Sequence, residues 1–395
     1  MIKKLIYVAA MAMMVASCSD SDDNAPDSGA LDPQEAALKE VVCDYVDYTV
    51  VPVYRNLADA TVELAELCDK MCEAGPAGLT SQMVSEAGDK WIEARKYWEL
   101  SEAWLYGAAA DYNIDPHIDT WPLDKTAMDA MLGNAAQMAQ MHDRESAGEY
   151  VGSSLGQGLL GFHAIEYMLF EPADNTVTTT SPRAVSKFTA NELYYLAAVA
   201  DDLRNCCLRL EASWADEGTV AASKLAILDD AGLSYDTNYG KYMKTAGSAG
   251  SRYVSYAEAV QEIIVGAQDI ADEVGNQKIG NPVGSGLESD PDYIESPYAL
   301  NSITDFIDNM RSVRSAYAGP ANHTLSAYVR GIDADLDARV LKAIDDAIEA
   351  IGKMREPFAA TSQDQSMRQI NLAAVEACND VNDIFDEVID LIQKN

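Results

Sequence analysis

The first residues whose types and spacing suggest chemistry lie in GLLGFHAIEYMLF, residues 158–170. This apolar run, of the kind that fills a helical core, contains one histidine, His163, and one carboxylate, Glu166. Positions i and i+3 share a helix face, so the two side chains can bind one metal ion. Two core residues that satisfy each other have the same spacing. His-x-x-Glu alone therefore does not separate the two interpretations.

The helix that carries this pair has apolar or aromatic residues on both faces. Tyr167 and Phe170 share the face of His163 and Glu166, and the opposite face is formed by Phe162, Ile165 and Leu169. We therefore expect the pair to be buried, as at a junction between domains. Burying two such groups without partners would cost about 2–7 kcal/mol or more, so they need a partner or a ligand.

A second His-x-x-Glu pair, His142 and Glu145, lies in the polar segment HDRES, which is typical of an exposed turn. We predict no function for it. The zinc-protease pattern H-E-x-x-H does not occur, and His-x-x-Glu reverses the Glu-x-x-His order of di-iron bundles. These patterns therefore give no independent support for a zinc protease or for a di-iron site.

Two further segments offer partners for His163. RKYWELSEAWLYG (95–107) places Arg95 and Glu102 at helical spacings, with Glu102 expected to point inward. DYNIDPHIDTWPLD (111–124) is broken by prolines and supplies Asp119 and Trp121, together with Asp115 and His117. Oxygen-rich ligands with one imidazole suit iron, zinc, manganese or calcium better than copper(I).

The elements that must position these residues are predicted to be helices. Helical periodicity dominates, no convincing strand is found, and residues 176–181 indicate a polar linker. The pattern predicts an all-α protein of two antiparallel helical bundles packed side by side. Long irregular segments at 111–124 and 278–298 are typical of functional loops. The predicted helices are 32–72 with a kink at Pro52, 82–109, 125–141, 146–170, 189–215, 218–231, 251–276, 299–317, 333–355 and 362–393.

Composition and the N-terminus limit the partners. The chain has 395 residues and a formal charge of −36, a surface that repels nucleic acid. Residues 1–17 have the pattern of a lipoprotein signal peptide before Cys18, the predicted lipidation site. We expect a disordered acidic tether at 18–30, an N-terminal bundle at 31–215 and a C-terminal bundle at 216–395.

The other six cysteines show no Cys-x-x-Cys zinc pattern, and we interpret them as buried, unpaired residues. A disulfide at Cys43 or Cys378 remains open.

Three motifs together resemble the imelysin-like family. GFHAIEYMLF is similar to its G-x-H-x-x-E signature, with Gly161, His163 and Glu166 in place. RKYWELSEAW resembles its arginine-to-glutamate helix at Arg95, Ser101 and Glu102. IDPHIDTWPLD resembles the I-D-x-W-P loop. Segment 295–319 is similar to the family's second-half motif at Glu295, Ser296, Asn309, Tyr317 and Gly319.

The resemblance implies an exported two-bundle protein, often a lipoprotein, with its signature in a cleft between domains. Some family members are named as insulin-cleaving metallopeptidases, and others are tied to iron regulation or uptake. We therefore predict metal ligands His163, Glu166 and Glu102, and further ligand-binding residues Arg95, Asp119, Trp121 and Tyr317. Iron is favoured over zinc, and a resting protein without metal is the alternative.

The leading hypothesis is an outer-membrane lipoprotein, at the periplasmic face or the cell surface, that binds iron or an iron-bearing ligand and works with an outer-membrane transport partner. A metallopeptidase is the alternative, with its catalytic residues unknown, because no third histidine is visible near Glu166. A third interpretation is a scaffold or a carbohydrate-uptake accessory in which the signature braces the domain junction.

Overall fold

The computed structural model describes residues 31–172, 178–235, 238–286 and 288–394. The predicted signal peptide, Cys18 and the tether lie outside the described residues. The all-α prediction is confirmed within them, with one addition. A two-stranded antiparallel ribbon pairs β1 (Phe170–Pro172) with β2 (Thr180–Pro182), in part of the segment predicted as a linker.

The helices of the first half begin and end as follows: α1 Pro33–Tyr45, α2 Val51–Gly78, α3 Ser81–Glu99, α4 Ala108–Asp111, α5 Asp115–Ile118, α6 Lys125–Leu132, α7 Ala135–His142, α8 Ala147–Ser154, α9 Gly161–Leu169 and α10 Ala190–Trp214. Short 3₁₀ turns lie at Glu102–Trp104, Gln157–Leu159 and Val185–Lys187, and a π turn joins α1 to α2 at Val46–Val50.

The second half contains α11 Ala222–Asp230, α12 Tyr239–Lys244, α13 Tyr256–Glu273, α14 Gly280–Val283, α15 Ser302–Ala318, α16 Leu325–Ile332, α17 Ala334–Gly352, α18 Phe358–Thr361 and α19 Arg368–Lys394. A second π turn, Val274–Ile279, lies between α13 and α14.

Local sequence explains most helix starts. Asp32 caps α1 by accepting from the backbone N–H groups of Gln34 and Glu35. Thr189 and Glu192 form a reciprocal capping box at the start of α10, where a helix was predicted. The expected kink at Pro52 takes the form of the first π turn, because proline has no N–H to donate into a regular helix.

Three predicted helices are shorter or broken. The helix at 82–109 ends at Glu99. The helix at 125–141 breaks at Gly133, and Asn134 caps the next segment. The helix at 146–170 is interrupted after Ser154 and restarts at Gly161. Apolar periodicity runs across these breaks, so a pattern-based prediction joins what tertiary contacts separate.

The helices form two groups that share one continuous apolar core. In the first group, α2 packs against α3 and α10. In the second, α19 packs against α13 and α17, and α15 against α13 and α17. Helix α1 packs on α13 and α16 of the second half, whereas α2 belongs to the first group. The proposed division between residues 215 and 216 stays a prediction. Within the described ranges, every helix lacks the combination of length and apolarity required to cross a membrane.

Candidate functional site

Charged side chains from both halves of the chain meet in the buried core, where several elements end. The last turn of α3 supplies Arg95 and Glu99, and the 3₁₀ turn that follows supplies Glu102. Asp119 lies at the end of α5, and His163 and Glu166 lie at the start of α9. The second half contributes four more residues: Lys278, Glu295, Asp305 and Asn309. We call these ten residues the buried cluster.

Glu166 holds the ring of His163 in place. Its Oε2 lies 3.1 Å from Nδ1 of His163, and its Oε1 accepts hydrogen bonds from the backbone N–H groups of Tyr298 and Ala299, both at 2.7 Å. Glu166 therefore ties α9 to the loop before α15. Its oxygens are engaged by these groups, so it orients the imidazole rather than facing the same ligand.

The other ring nitrogen of His163 faces the buried cluster. Nε2 lies 3.2 Å from Oδ1 of Asp119, but it has no aligned hydrogen-bond partner among the described residues. His163 is 1% exposed. Burial opposes its protonation, yet the contacts with Asp119 and Glu166 outweigh burial and raise the pKa of His163 to about 9. His163 is thus a fixed imidazolium at neutral pH, and a metal ion that binds its Nε2 must displace the proton there.

Arg95 joins carboxylates from three separate segments. Its guanidinium contacts Glu99 and Asp119, lies 2.7 Å from Oε1 of Glu295, and lies 3.5 Å from Oδ2 of Asp305. Asp119 also accepts a 2.7 Å hydrogen bond from the indole N–H of Trp98. Burial would raise the pKa of Asp119, but Arg95 and His163 outweigh it and hold that pKa below its usual range. Asp119 is therefore ionised, and it contacts Arg95, Trp98 and His163.

Lys278 is the second permanent cation and was not predicted. It is 1% exposed, and its Nζ lies 3.0 Å from carboxylate oxygens of Glu102 and Glu295 and 3.7 Å from Glu99. The second π turn carries it inward. Burial opposes its charge, but these carboxylates outweigh burial and raise its pKa well above the usual value. Lys278 is thus an internal cation held among acids.

Acidic groups outnumber permanent cations in the buried cluster. The cluster holds six carboxyl groups (Glu99, Glu102, Asp119, Glu166, Glu295 and Asp305) but only two permanent cations, Arg95 and Lys278. Burial raises the pKa of Glu99 and Glu102 well above the ordinary value, and it raises that of Asp305 to about 7. Some of these groups therefore hold protons that a bound cation can replace.

Two overlapping sets of atoms in the buried cluster are close enough to hold a metal ion. One ligand atom each from Asp119, His163 and Glu295 lie within 4.8 Å of one another, as do oxygens of Glu99, Glu102 and Asp119. An imidazole with carboxylates suits iron, zinc or manganese. The unpartnered Nε2 of His163 and Oε2 of Glu295 fit such a role.

An acidic cavity lies beside the buried cluster. Its volume is about 340 Å³, and its lining includes Glu102 together with Glu262, Asp269 and Glu273. Burial and neighbouring carboxylates raise the pKa of Glu273 to about 7, although Lys278 opposes this. Glu102 is shared between the cavity and the buried cluster, which gives cations a negatively charged approach.

The structure gathers most of the residues predicted from sequence. Arg95, Glu102, Asp119, His163 and Glu166 all belong to the buried cluster. The ring of Trp121 covers it, with its centroid 6.0 Å from that of His163 and 5.3 Å from Nζ of Lys278. Tyr317 is buried elsewhere, near the end of α15, where it donates to Asp337 and packs on Phe385.

Sequence reasoning missed Lys278 and Asp305 as site residues. Lys278 meets Glu102 across 176 residues of chain, and no local pattern marks that pairing. The signal available was the long irregular stretch at 278–298, which was predicted to be functional and which also contains Glu295. Asp305 lies on α15, and the spacing of residues along this helix does not distinguish Asp305 as a site residue.

The fold and the cluster define an all-helical protein with a buried His-carboxylate centre, and the comparisons give its family. The family model of Imelysin, a peptidase family, matches residues 50–385. The chain belongs to the imelysin family, which confirms the resemblance.

Named relatives agree with this assignment. The chain is 25% identical over 294 residues to "Iron-regulated protein A" of Synechococcus elongatus, covering 74% of this chain and 68% of the relative. A crystal structure of an iron-regulated protein A precursor from Parabacteroides distasonis is 27% identical, with a TM-score of 0.73 over 92% of this chain and 97% of that one.

An imelysin-like protein from Psychrobacter arcticum shares the fold at 14% identity. Its TM-score is 0.60, with coverage of 90% of this chain and 95% of that one.

Proposed function

We propose that this protein binds a metal cation, with iron favoured, in the buried cluster between the two bundles, and that it serves in iron uptake. The observation that carries the proposal is the geometry of His163. One nitrogen is fixed by Glu166, and the other is buried, unpartnered among the described residues and directed at Asp119. A carboxylate behind a metal-binding histidine is the usual way to set its tautomer and orientation.

Asp119 and Glu295 complete the proposed centre with His163. The second set, Glu99 and Glu102, offers harder oxygen ligands beside it. Raised pKa values at Glu99 and Glu102 indicate that the site repels further negative charge and favours a cation. The names of two relatives refer to iron regulation. Because Arg95 and Lys278 contact the same oxygens, a metal ion must share or displace these cations.

A peptidase has weaker support from the geometry. Metal-dependent cleavage needs a metal-bound water, a general base and room for the peptide. Glu166 is engaged by His163 and two backbone N–H groups, and His163, Glu295 and Asp119 are almost fully buried. A bound cation fits this enclosure better than a polypeptide substrate does.

Metal titration tests the proposal. Anaerobic Fe²⁺ and, separately, Zn²⁺ are titrated into residues 31–395 by calorimetry, beside a peptide-library cleavage assay. His163→Ala should abolish binding at the cluster. The matched control is His142→Ala, which removes the histidine of the second His-x-x-Glu pair, where the side chain is exposed. Equal binding by both variants would overturn the proposal, and chelator-sensitive cleavage that depends on His163 would favour the peptidase.

We also propose that the protein is an exported lipoprotein anchored through Cys18, with residues 18–30 as its tether and a transport protein of the outer membrane as its partner. The signal pattern before Cys18 supports this proposal. Mass spectrometry of the mature N-terminus should find a diacylglycerol thioether on Cys18. Cys18→Ser should release the protein from the membrane fraction, and an unmodified N-terminus that retains residues 1–17 would contradict the proposal.

A further inference from the structure

A second group of potential metal ligands lies outside the buried cluster. His117 is on α5, and Asp202 and Cys206 are one turn apart on α10. A ring nitrogen of His117, a carboxylate oxygen of Asp202 and Sγ of Cys206 lie within 4.8 Å of one another. Nε2 of His117 is 2.8 Å from Oδ2 of Asp202. The three side chains thus converge on one point.

The packing of α8 makes room for this group. Gly148 and Gly152 face α10, where a Cβ at Gly148 would come within 2.9 Å of the Cβ of Asp201 and 3.5 Å of the backbone nitrogen of Asp202. A Cβ at Gly152 would overlap the carboxylate of Asp202 itself. A larger residue at Gly148 would push α8 away from α10, and one at Gly152 would turn the carboxylate of Asp202 aside. The two glycines therefore allow the carboxylate to remain where His117 and Cys206 meet it.

We propose that His117, Asp202 and Cys206 form a second metal site, for a zinc-type divalent cation. A thiolate with an imidazole and a carboxylate is a donor set that zinc accepts and that calcium and magnesium disfavour. Tetrahedral zinc with bonds of about 2.0–2.3 Å needs ligand atoms roughly 3.3–3.8 Å apart. The three atoms reach that spacing through side-chain movements of about 1 Å or less.

The site keeps a coordination position open. His117, Asp202 and Cys206 line a cavity of about 270 Å³. Three protein ligands with an open fourth position are the arrangement of an exchangeable or reactive zinc site, whereas structural zinc has four protein ligands. Arg209, which also lines the cavity, is held back because it stacks on Tyr112 and donates to the carbonyl of Ser234. A water molecule or a small ligand can thus complete the coordination.

The simplest alternative is that His117 and Asp202 form an ion pair that fastens α5 to α10. An ion pair explains these two residues but gives no role to the adjacent thiol. It predicts that Cys206 can be replaced without any effect on metal binding. The two sites share no residue, and the buried cluster contains no thiol, so sulfur ligation distinguishes them.

Cobalt titration under reducing conditions tests the inference, because thiolate ligation of Co²⁺ gives an intense charge-transfer absorption that oxygen and nitrogen ligands do not give. Residues 31–395 should develop this band, which should reach a plateau as the second site fills, and Zn²⁺ should remove it. Cys206→Ser should abolish the band. The matched control, Cys72→Ser, replaces another half-buried cysteine and should leave the band unchanged.

A second variant keeps the test decisive if Cys206→Ser folds poorly. The side chain of His117 is 19% exposed, so His117→Gln should fold, as thermal unfolding can verify. It should weaken Zn²⁺ binding about 100-fold or more, since even outer-shell changes cost 10–100-fold. Absence of the charge-transfer band in the parent protein, its persistence in Cys206→Ser, or unchanged Zn²⁺ affinity in His117→Gln would each overturn the inference.

Discussion

Oε2 of Glu166 lies 3.1 Å from Nδ1 of His163, while Oε1 of Glu166 accepts hydrogen bonds from the backbone N–H groups of Tyr298 and Ala299. This arrangement predicts a specific effect of Glu166→Gln. The two N–H donors should hold the amide oxygen on their side, so the amide NH₂ must face Nδ1. Nδ1 then becomes an acceptor, so the ring loses its proton at Nδ1 and keeps the one on Nε2, the nitrogen needed for metal binding. Metal affinity should fall about 10–100-fold with little loss of stability.

Nitrogen NMR of His163 should report the change of tautomer directly, and calorimetry should report the lost affinity. Glu145→Gln, in the exposed His-x-x-Glu pair, should change neither. A Glu166→Gln variant that keeps the parent's metal affinity would show that Glu166 does not set the tautomer.

Lys278→Met should make the protein depend on a bound cation. Removing this ammonium leaves Glu102 buried without its cation and leaves Glu295 with Arg95 alone, which should lower the free energy of unfolding by about 3–5 kcal/mol in chelator. A metal ion should then restore more stability than it adds to the parent, because it no longer competes with Lys278. Urea unfolding with and without metal measures both quantities.

Lys187→Met is the control for the loss of a lysine ion pair. Lys187 pairs with Glu171 at the surface, where such a pair contributes roughly 0–1 kcal/mol. If metal stabilises Lys278→Met no more than the parent, Lys278 does not compete for the site.

Gly161→Ala should disturb the contact between His163 and Asp119. Gly161 has φ of +69°, and a Cβ there would overlap the backbone of Ile118, the residue before Asp119. Strain and overlap together should cost about 3 kcal/mol or more. Gly156→Ala is the control, because Gly156 has an ordinary φ and nothing near its Cβ position. Thermal unfolding and metal titration of both variants check the difference, and equal stability would contradict it.

The raised pKa of Glu273 predicts that the free energy of unfolding depends on pH. Its folded pKa of about 7 is above the ordinary value of 4.5. A raised carboxyl pKa contributes stability that is fully present below pH 4.5 and is lost as the pH rises through 7. The free energy of unfolding of Glu273→Gln should therefore equal that of the parent at low pH and exceed it by about 1–3 kcal/mol at pH 8. Urea unfolding in chelator across this range measures the difference, and a pH-independent difference would argue against it.

Local signals predicted the fold class and many helix starts. Asp32 and Thr189 cap helices where their side chains indicate, because capping needs only neighbouring atoms. The break before Gly161 escaped prediction, and Gly161 has a positive φ and lies against the backbone of Ile118, far away in sequence. Glu35 shows the same limit. It lies in the first turn of α1, but its carboxylate accepts hydrogen bonds from the backbone N–H groups of Tyr256 and Ala257, far away in sequence.

The buried cluster was partly predictable for a related reason. Motifs identified Arg95, Glu102, Asp119 and His163, which carry recognisable spacing. The spacing of His163 and Glu166 suggested a shared ligand, and the structure instead directs Glu166 toward backbone N–H groups in the second half. Which way a side chain faces across a junction depends on partners that local sequence does not specify.

The packing of α1 on α13 has a consequence for folding order during synthesis. The contact between Glu35 and Ala257 spans 222 residues, so α1 cannot complete its packing until α13 has been synthesised. Until then the buried apolar face of α1, which includes Leu38 and Val42, lacks the packing of α13 and α16. An isolated N-terminal half would carry that uncovered helix, so we expect the chain to complete its fold late, after the second half emerges.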